Sequence, residues 1–203
     1  MLPYQFYNSN NVYIIVGAMI VFLTFPFFNA GKYKSAGKLE TDNSFSLVPK
    51  IFVITYISGI FGAITSTLFN KILQACKKSR NVEVDPMALV NGCISGMIAV
   101  GAICQNTEPY YGILIGGVAG VYYNMHVRIM TKFFALDQVF NLVSAHISGG
   151  LWGLVSNGLF NQDFGIVSDF DNKGQFFGYE VFGLFYLYVW VPVCAFTYFI
   201  LAQ

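Results

Sequence analysis

The chain has 203 residues, of which 56% are hydrophobic and only 10% are charged, and its formal net charge is +1. Soluble domains usually carry charge on about a quarter of their residues, so this composition excludes an ordinary soluble domain and indicates a membrane protein. The near-neutral charge gives no electrostatic reason to expect nucleic-acid binding.

Charged residues divide the chain into apolar stretches that approach the length of a membrane crossing. A transmembrane helix needs about 20 mostly apolar residues, and six stretches meet this requirement or come close to it. We predict an all-α integral membrane protein with about six transmembrane helices in a single domain. In chain order, the predicted spans cover residues 12–30, 51–70, 87–105, 110–128, 138–160 and 178–201.

The loops between the spans predict an orientation in the membrane. No basic n-region or Arg-rich leader precedes the first span, so we expect this span to direct insertion itself. The connections after the second and fourth spans are basic, whereas the loop after the third has no Lys or Arg. The positive-inside rule then places both termini in the cytoplasm, or in the matrix of a mitochondrion. Three lysines in the first loop argue for the opposite orientation.

Small residues recur four positions apart along the third, fourth and fifth spans. Such ridges let helix backbones approach closely in lipid, where packing drives helix association. They predict a tight helical bundle and, alone, do not indicate transport. The glycines of these ridges are Gly92, Gly96, Gly112, Gly116, Gly120, Gly149 and Gly153.

The fifth span contains one ionisable residue, His146, inside the uncharged segment 138–162. An ionisable group at membrane depth usually faces the interior of a bundle and marks a pathway or its relic. The other histidine, His126, stands near Arg128 at the end of the fourth span, where we expect an interfacial position. The four cysteines are interpreted as small apolar core residues.

The sequence contains no pattern that indicates enzymatic chemistry. We find no nucleophile–base arrangement, phosphate-binding loop or cluster of metal ligands in the 203 residues. We therefore predict that the protein is not an enzyme and has neither a metal site nor a cofactor. Bound lipids are expected.

Four motifs, in the same order, resemble the second half of the ammonium transporter/Rh family. They are FFNAG at residues 27–31, the segment 91–120 that begins NGCISG, Asp137, and AHISGGLWGLVSNGLF at residues 145–160. The family has FNAG on its sixth helix, NG-x-x-AG on its eighth, and an acidic pair followed by H-G-x-G-G-x-W-G on its tenth. The resemblance covers nearly the whole chain and implies the second of two inverted five-helix repeats plus the last helix. The first five helices would be absent.

The resemblance also implies roles for individual residues, because inverted-repeat transporters place their path between the repeats. His146 matches one member of the family's histidine pair, whose partner lies on the missing fifth helix. Phe28 matches a phenylalanine that gates the outer mouth, Asn29 follows it in the motif, and Asp137 remains from the acidic pair. Phe28 and its neighbours Phe25 and Phe27 either form part of a cation-attracting cluster or simply pack against lipid and other helices.

Several positions depart from the family pattern. The serine that helps to bind ammonium after FNAG is Lys32 here, the second acidic residue is Gln138, and a later aspartate is Asn141. A lysine at the mouth would repel an incoming cation by about 4 kcal/mol at about 4 Å and a dielectric constant of about 20, unless it extends to the interface. These departures weaken the expectation of transport.

Two functions from different classes remain open. In the first, the chain is a degenerate transporter half that serves as a structural subunit among other membrane proteins and does not conduct alone. In the second, it is half of a split ammonium or ammonia transporter and forms a pore with a partner that carries the first repeat. The lost substrate groups favour the structural function. The membrane is predicted to be the mitochondrial inner membrane or the plasma membrane, with a lean towards the mitochondrial one.

Both functions require a partner to cover the face of this half that would contact the missing first repeat. Polar residues such as His146, Asn91 and Asn157 would be costly against lipid. We therefore expect the isolated chain to be unstable.

Overall fold

A computed structural model describes residues 11–35, 44–76, 84–133, 141–168, 171 and 173–201. This part of the chain contains six α-helices and no β-strand, which confirms the predicted all-α fold. The helices are α1 Asn11–Ser35, α2 Ser44–Cys76, α3 Pro86–Ala99, α4 Pro109–Phe133, α5 Leu142–Phe160 and α6 Lys173–Leu201.

Each predicted span overlaps one helix, but most of the helices are longer than the spans. The helices continue through charged residues that bound the predicted spans, such as Lys71 in α2. Two helices, over Leu47–Cys76 and Gly174–Leu201, are long and apolar enough to cross a membrane by length and composition. The apolar helices over Val16–Gly31 and Pro86–Ala102 are shorter. Residues 137–140, including Asp137 and the start of the predicted fifth span, lie outside the described residues.

The third helix is shorter than its predicted span because it breaks near Gly101. After Ala99 the chain forms a 3-10 turn over Val100–Ala102, and the amide of Cys104 then donates to the Val100 carbonyl at 2.8 Å. Glycine is among the weakest helix formers. Cys104 therefore lies beyond the helix that carries Cys93.

The cysteines also differ from their predicted environment. All four are free thiols; Cys104 is buried, Cys93 is half-buried, and Cys76 and Cys194 are exposed. The prediction of four core cysteines was therefore wrong for the two exposed ones, which lie on the outer parts of α2 and α6.

Helices α2, α3, α4 and α5 form a closely packed group because glycines bring their backbones together. A Cβ atom on Gly149 would lie 2.7 Å from the Ser95 carbonyl oxygen, and one on Gly153 would lie 2.8 Å from that of Ala99. Gly116 faces the backbone of Ser58 even more closely. Any side chain at these positions would push the helices apart. The same contact pattern holds at Gly92, Gly96 and Gly120, and less tightly at Gly112.

The first and last helices are peripheral. On α1, Phe22 lies 4.8 Å from the Tyr56 ring of α2, measured between ring centroids. On α6, the first turns contact α5 through Phe177, which lies against Gly158. From residue 185 to residue 201, α6 is exposed along its whole length.

Candidate functional site

A cleft of about 520 Å³ lies between α1, α3 and the start of α5. It brings together three of the four candidate pore residues, namely Phe28, Asn29 and His146, although His146 is more than a hundred positions from the other two in sequence. The residues that line it are Val21, Thr24, Phe25, Phe28, Asn29, Ile94, Ile98, Leu142 and His146. This cleft is the candidate site, since it joins the ionisable residue of α5 to the FFNAG motif of α1.

His146 is exposed on the cleft, and its imidazole is held by its own helix. The ring Nδ1 lies 2.9 Å from the carbonyl oxygen of Leu142, one turn earlier in α5. A carbonyl oxygen only accepts hydrogen bonds, so Nδ1 donates in this contact.

The second histidine of the chain does not complete a pair with His146. His126 lies on α4 and does not line the cleft. Its side chain is 5% exposed, and its Nδ1 has no hydrogen-bond partner among the described residues. The sequence predicted an interfacial position for His126, but the structure buries it in the helix bundle. Because the chain has two histidines in all, a histidine pair at the cleft would need a residue from another chain or segment.

The phenylalanines of the first helix divide between two environments. Phe25 and Phe28 both line the cleft, and their ring centroids are 5.6 Å apart. Phe28 is 57% exposed, and an aromatic ring can bind a cation within about 6 Å of its centroid. Phe27 packs edge-on against Phe52 of α2 at 4.8 Å and lies outside the cleft.

Asn29 connects three helices at the edge of the cleft. Its side chain is 2% exposed, and its amide nitrogen donates to Thr55 Oγ1 at 3.1 Å and to the Met97 carbonyl at 3.4 Å. These bonds hold α1 against α2 and α3. The carbonyl oxygen Oδ1 has no partner among the described residues, and a buried, unbonded acceptor reduces stability.

Two polar residues that were expected on the open face instead have partners inside the chain. Asn91 donates to the Tyr123 hydroxyl at 3.1 Å within the bundle. Asn157 donates to Oε1 of Glu180 at 2.7 Å. The expectation of exposed amides was therefore wrong for both asparagines, and His146 alone of the three faces the cleft.

The positions that depart from the family pattern are only partly described. Asn141, which replaces an aspartate, has a left-handed backbone with φ of 53° and its side chain makes no capping bond to α5. Asparagine tolerates this conformation better than most residues. The side chain of Lys32 and all of Gln138 lie outside the described residues.

A network of small polar residues inside the bundle was missed by the sequence reasoning. Asn124 donates to Ser66 Oγ at 2.8 Å, and Ser66 donates to the Ala88 carbonyl at 2.6 Å, which links α4, α2 and α3. Ser95 and Ser148 meet at 3.1 Å between α3 and α5. The available signal was the position of Ser95 and Ser148 next to ridge glycines, where close helices let short side chains reach a neighbouring backbone.

Comparison with known proteins decides the family. Residues 2–203 match the sequence profile of the Ammonium Transporter Family. The chain belongs to the ammonium transporter family. It is 28% identical over 149 residues to Ammonium transporter 3 of Dictyostelium discoideum, which covers 73% of this chain and 32% of that protein. It is also 28% identical over 153 residues to Ammonium transporter Amt2 of Archaeoglobus fulgidus, covering 75% of this chain and 30% of that protein.

The fold comparison agrees with half of an ammonium-transporter architecture. The solved structure described as "Sensor Amt Protein" superposes with a TM-score of 0.75 at 15% identity, covering 93% of this chain and 43% of that one. The chain thus spans about a third of the length of the two curated relatives and less than half of the solved structure. The predicted family and fold class are confirmed, and the chain is an integral membrane protein as its relatives are.

Proposed function

We propose that this chain is a structural membrane subunit that preserves the packing of an ammonium-transporter-like half and does not conduct by itself. The observation that carries the proposal is the isolation of His146. Its cleft contains no second histidine, and its Nδ1 is bound to Leu142 of its own helix. A proton relay between two imidazoles needs a partner that this chain does not supply.

The contrast between packing and chemistry supports the same proposal. Gly116, Gly149 and Gly153 keep helix backbones in close contact, whereas the family's ammonium-binding serine and two of its aspartates are Lys32, Gln138 and Asn141 here. A protein kept for its shape needs the glycines and does not need the charged or hydroxyl groups of a substrate path. We assign it no enzymatic activity, cofactor or nucleic-acid ligand.

The exposed surfaces indicate where other subunits would lie. The cleft at His146 is open, and α6 exposes aromatic residues including Phe185, Trp190 and Phe199. Clustered aromatic side chains are common at interfaces between proteins, and an ionisable group at membrane depth normally faces protein. We propose that other membrane protein subunits cover these faces and that lipids fill the remainder, in the mitochondrial inner membrane or the plasma membrane.

One observation favours a second function, in which the chain is half of a split ammonium or ammonia transporter. Phe25, Phe28 and His146 share one cleft, and the bond from His146 to Leu142 involves only Nδ1 of the ring. A partner with the first repeat would add the second histidine and close the pore.

Photocrosslinking from the cleft in native membranes separates the two functions. We would place p-benzoylphenylalanine at Phe28 in the cleft and at Phe199 on the α6 face, the two surfaces that other subunits are proposed to cover. The structural proposal predicts that position 28 crosslinks to a membrane protein without the first-repeat pattern, that is, without the family's first five helices and the histidine on the fifth. Capture of a chain with that pattern, together with methylammonium uptake that His146→Gln abolishes, would establish the split transporter instead.

A further inference from the structure

A second groove lies between α1, α2 and α3, and its lining is almost wholly apolar. Its volume is about 780 Å³, and the only polar side chains among its lining residues are Thr67 and Lys71. The hydroxyl of Thr67 donates to the Ala63 carbonyl at 2.8 Å, so it is already satisfied within its helix. Lys71 is therefore the only group of the lining that can attract a polar ligand.

The groove has the length of one membrane leaflet. Ile60, Ile64, Leu68 and Lys71 follow one another along one face of α2. At about 1.5 Å of rise per residue, they extend over about 16 Å, close to half of the roughly 30 Å hydrocarbon core. Ile60 thus lies near the middle of the bilayer when Lys71 is at headgroup level.

Lys71 has no anionic partner within the described part of the chain. The ion pair found there joins Lys50 to Glu108 at 3.3 Å. Lys71 is half-buried and lines the groove. Lysines at membrane interfaces commonly lay their methylene groups along apolar surface and keep the ammonium at the polar boundary.

We propose that this groove binds one anionic phospholipid, with an acyl chain along α2 and the phosphate at the Lys71 ammonium. An apolar groove that lacks polar partners does not hold ordered water. The charge at its end complements a negative headgroup, and basic residues at the membrane surface favour anionic lipids. The groove adjoins the His146 cleft, with Ile94 lining both, but Lys71 lines the groove alone. The proposal does not depend on the proposed function.

The first test compares lipid retention between two lysine variants by native mass spectrometry of the full chain, extracted with its natural partners. The probes are dioleoylphosphatidylglycerol and dioleoylphosphatidylcholine, which share acyl chains and differ in headgroup charge. We expect Lys71→Gln to reduce retention of the phosphatidylglycerol by about fivefold and to leave phosphatidylcholine unchanged. Lys132→Gln removes a basic residue of α4 outside the groove and should change neither. Equal loss in both variants, or no loss in either, would overturn the proposal.

A second measurement needs no variant and so does not depend on folding of a mutant. Phosphatidylglycerol with a photoreactive diazirine in its acyl chain is incorporated into nanodiscs that contain the wild-type protein. The proposal predicts labelled peptides around Ile64 and Leu68 in excess over the exposed helix α6. Labelling without that excess would show contact with bulk lipid only and would overturn the proposal.

Discussion

The side-chain nitrogen of Asn157 on α5 donates a hydrogen bond to Oε1 of Glu180 on α6 over 2.7 Å. Asn157 Oδ1 in turn accepts from Asn161 at 2.9 Å, so the three residues form a chain across the junction. Because α6 is exposed beyond residue 184, this junction and the contact of Phe177 with Gly158 hold the last helix in place.

Replacing Glu180 with leucine should loosen the last helix. Glu180→Leu leaves the half-buried Asn157 amide without its acceptor, which typically lowers the free energy of unfolding by about 1–3 kcal/mol. Glu180→Gln retains an acceptor oxygen and should behave more nearly like the wild type. Hydrogen–deuterium exchange of residues 173–185 measures the effect. Equal exchange in the leucine and glutamine variants would show that the hydrogen bond does not anchor α6.

Gly116 and its neighbour Gly117 provide a matched pair for the packing of α4. A Cβ at Gly116 would collide with the backbone of Ser58, whereas one at Gly117 would lie 3.5 Å from Thr65 Cγ2, an ordinary contact. We expect Gly116→Ala to lower stability by about 1–3 kcal/mol and Gly117→Ala to be neutral or stabilising, because alanine favours helix. Thermal unfolding in detergent, followed by size exclusion, gives the comparison. Similar midpoints for both variants would contradict the close packing at Gly116.

Asn124 tests the polar network inside the bundle. Its side chain donates to the Ser66 backbone carbonyl, to Ser66 Oγ and to the Gly120 carbonyl. Asn124→Ala should lower the free energy of unfolding by about 1–3 kcal/mol, since buried acceptors lose their donor. The control is Thr131→Ala, because the exposed hydroxyl of Thr131 bonds only within α4. A midpoint for Asn124→Ala that matches the control would mean that the network does not stabilise the bundle.

Substitution of His146 distinguishes a structural role of the chain from a role in transport. If the cleft is an interface, His146→Gln should leave the amount of assembled protein within about twofold of the wild type, because Gln retains polar contacts and α5 packs through Gly149 and Gly153. Gly153→Leu, which places a side chain against Ala99, should prevent assembly. Immunoblotting of native gels measures both variants. Normal assembly with a large loss of methylammonium uptake in His146→Gln would favour the split transporter.

The sequence predicted the features that depend on composition and spacing. Uncharged stretches located the helices, since a membrane crossing requires about 20 apolar residues. The FFNAG and AHISGG motifs identified the family and led to the cleft, where Phe28 and His146 lie together. These properties are encoded locally, so they can be read from one sequence.

Features that depend on tertiary contacts were less predictable. The burial of His126 and the pairing of Asn157 with Glu180 depend on how helices rotate against one another. The break after Ala99 coincides with Gly101, but glycines at other positions, such as Gly116, lie within regular helices. A single glycine therefore did not distinguish a helix break from a packing contact.

The most direct test of the structural-subunit proposal is extraction from native membranes in a mild detergent, followed by native electrophoresis and mass spectrometry of the proteins that co-migrate. The proposal predicts that the chain migrates within a large assembly of other membrane proteins, none with the first-repeat pattern of the family. Migration alone as a folded, monodisperse species, or with a single partner that carries the first repeat, would contradict it.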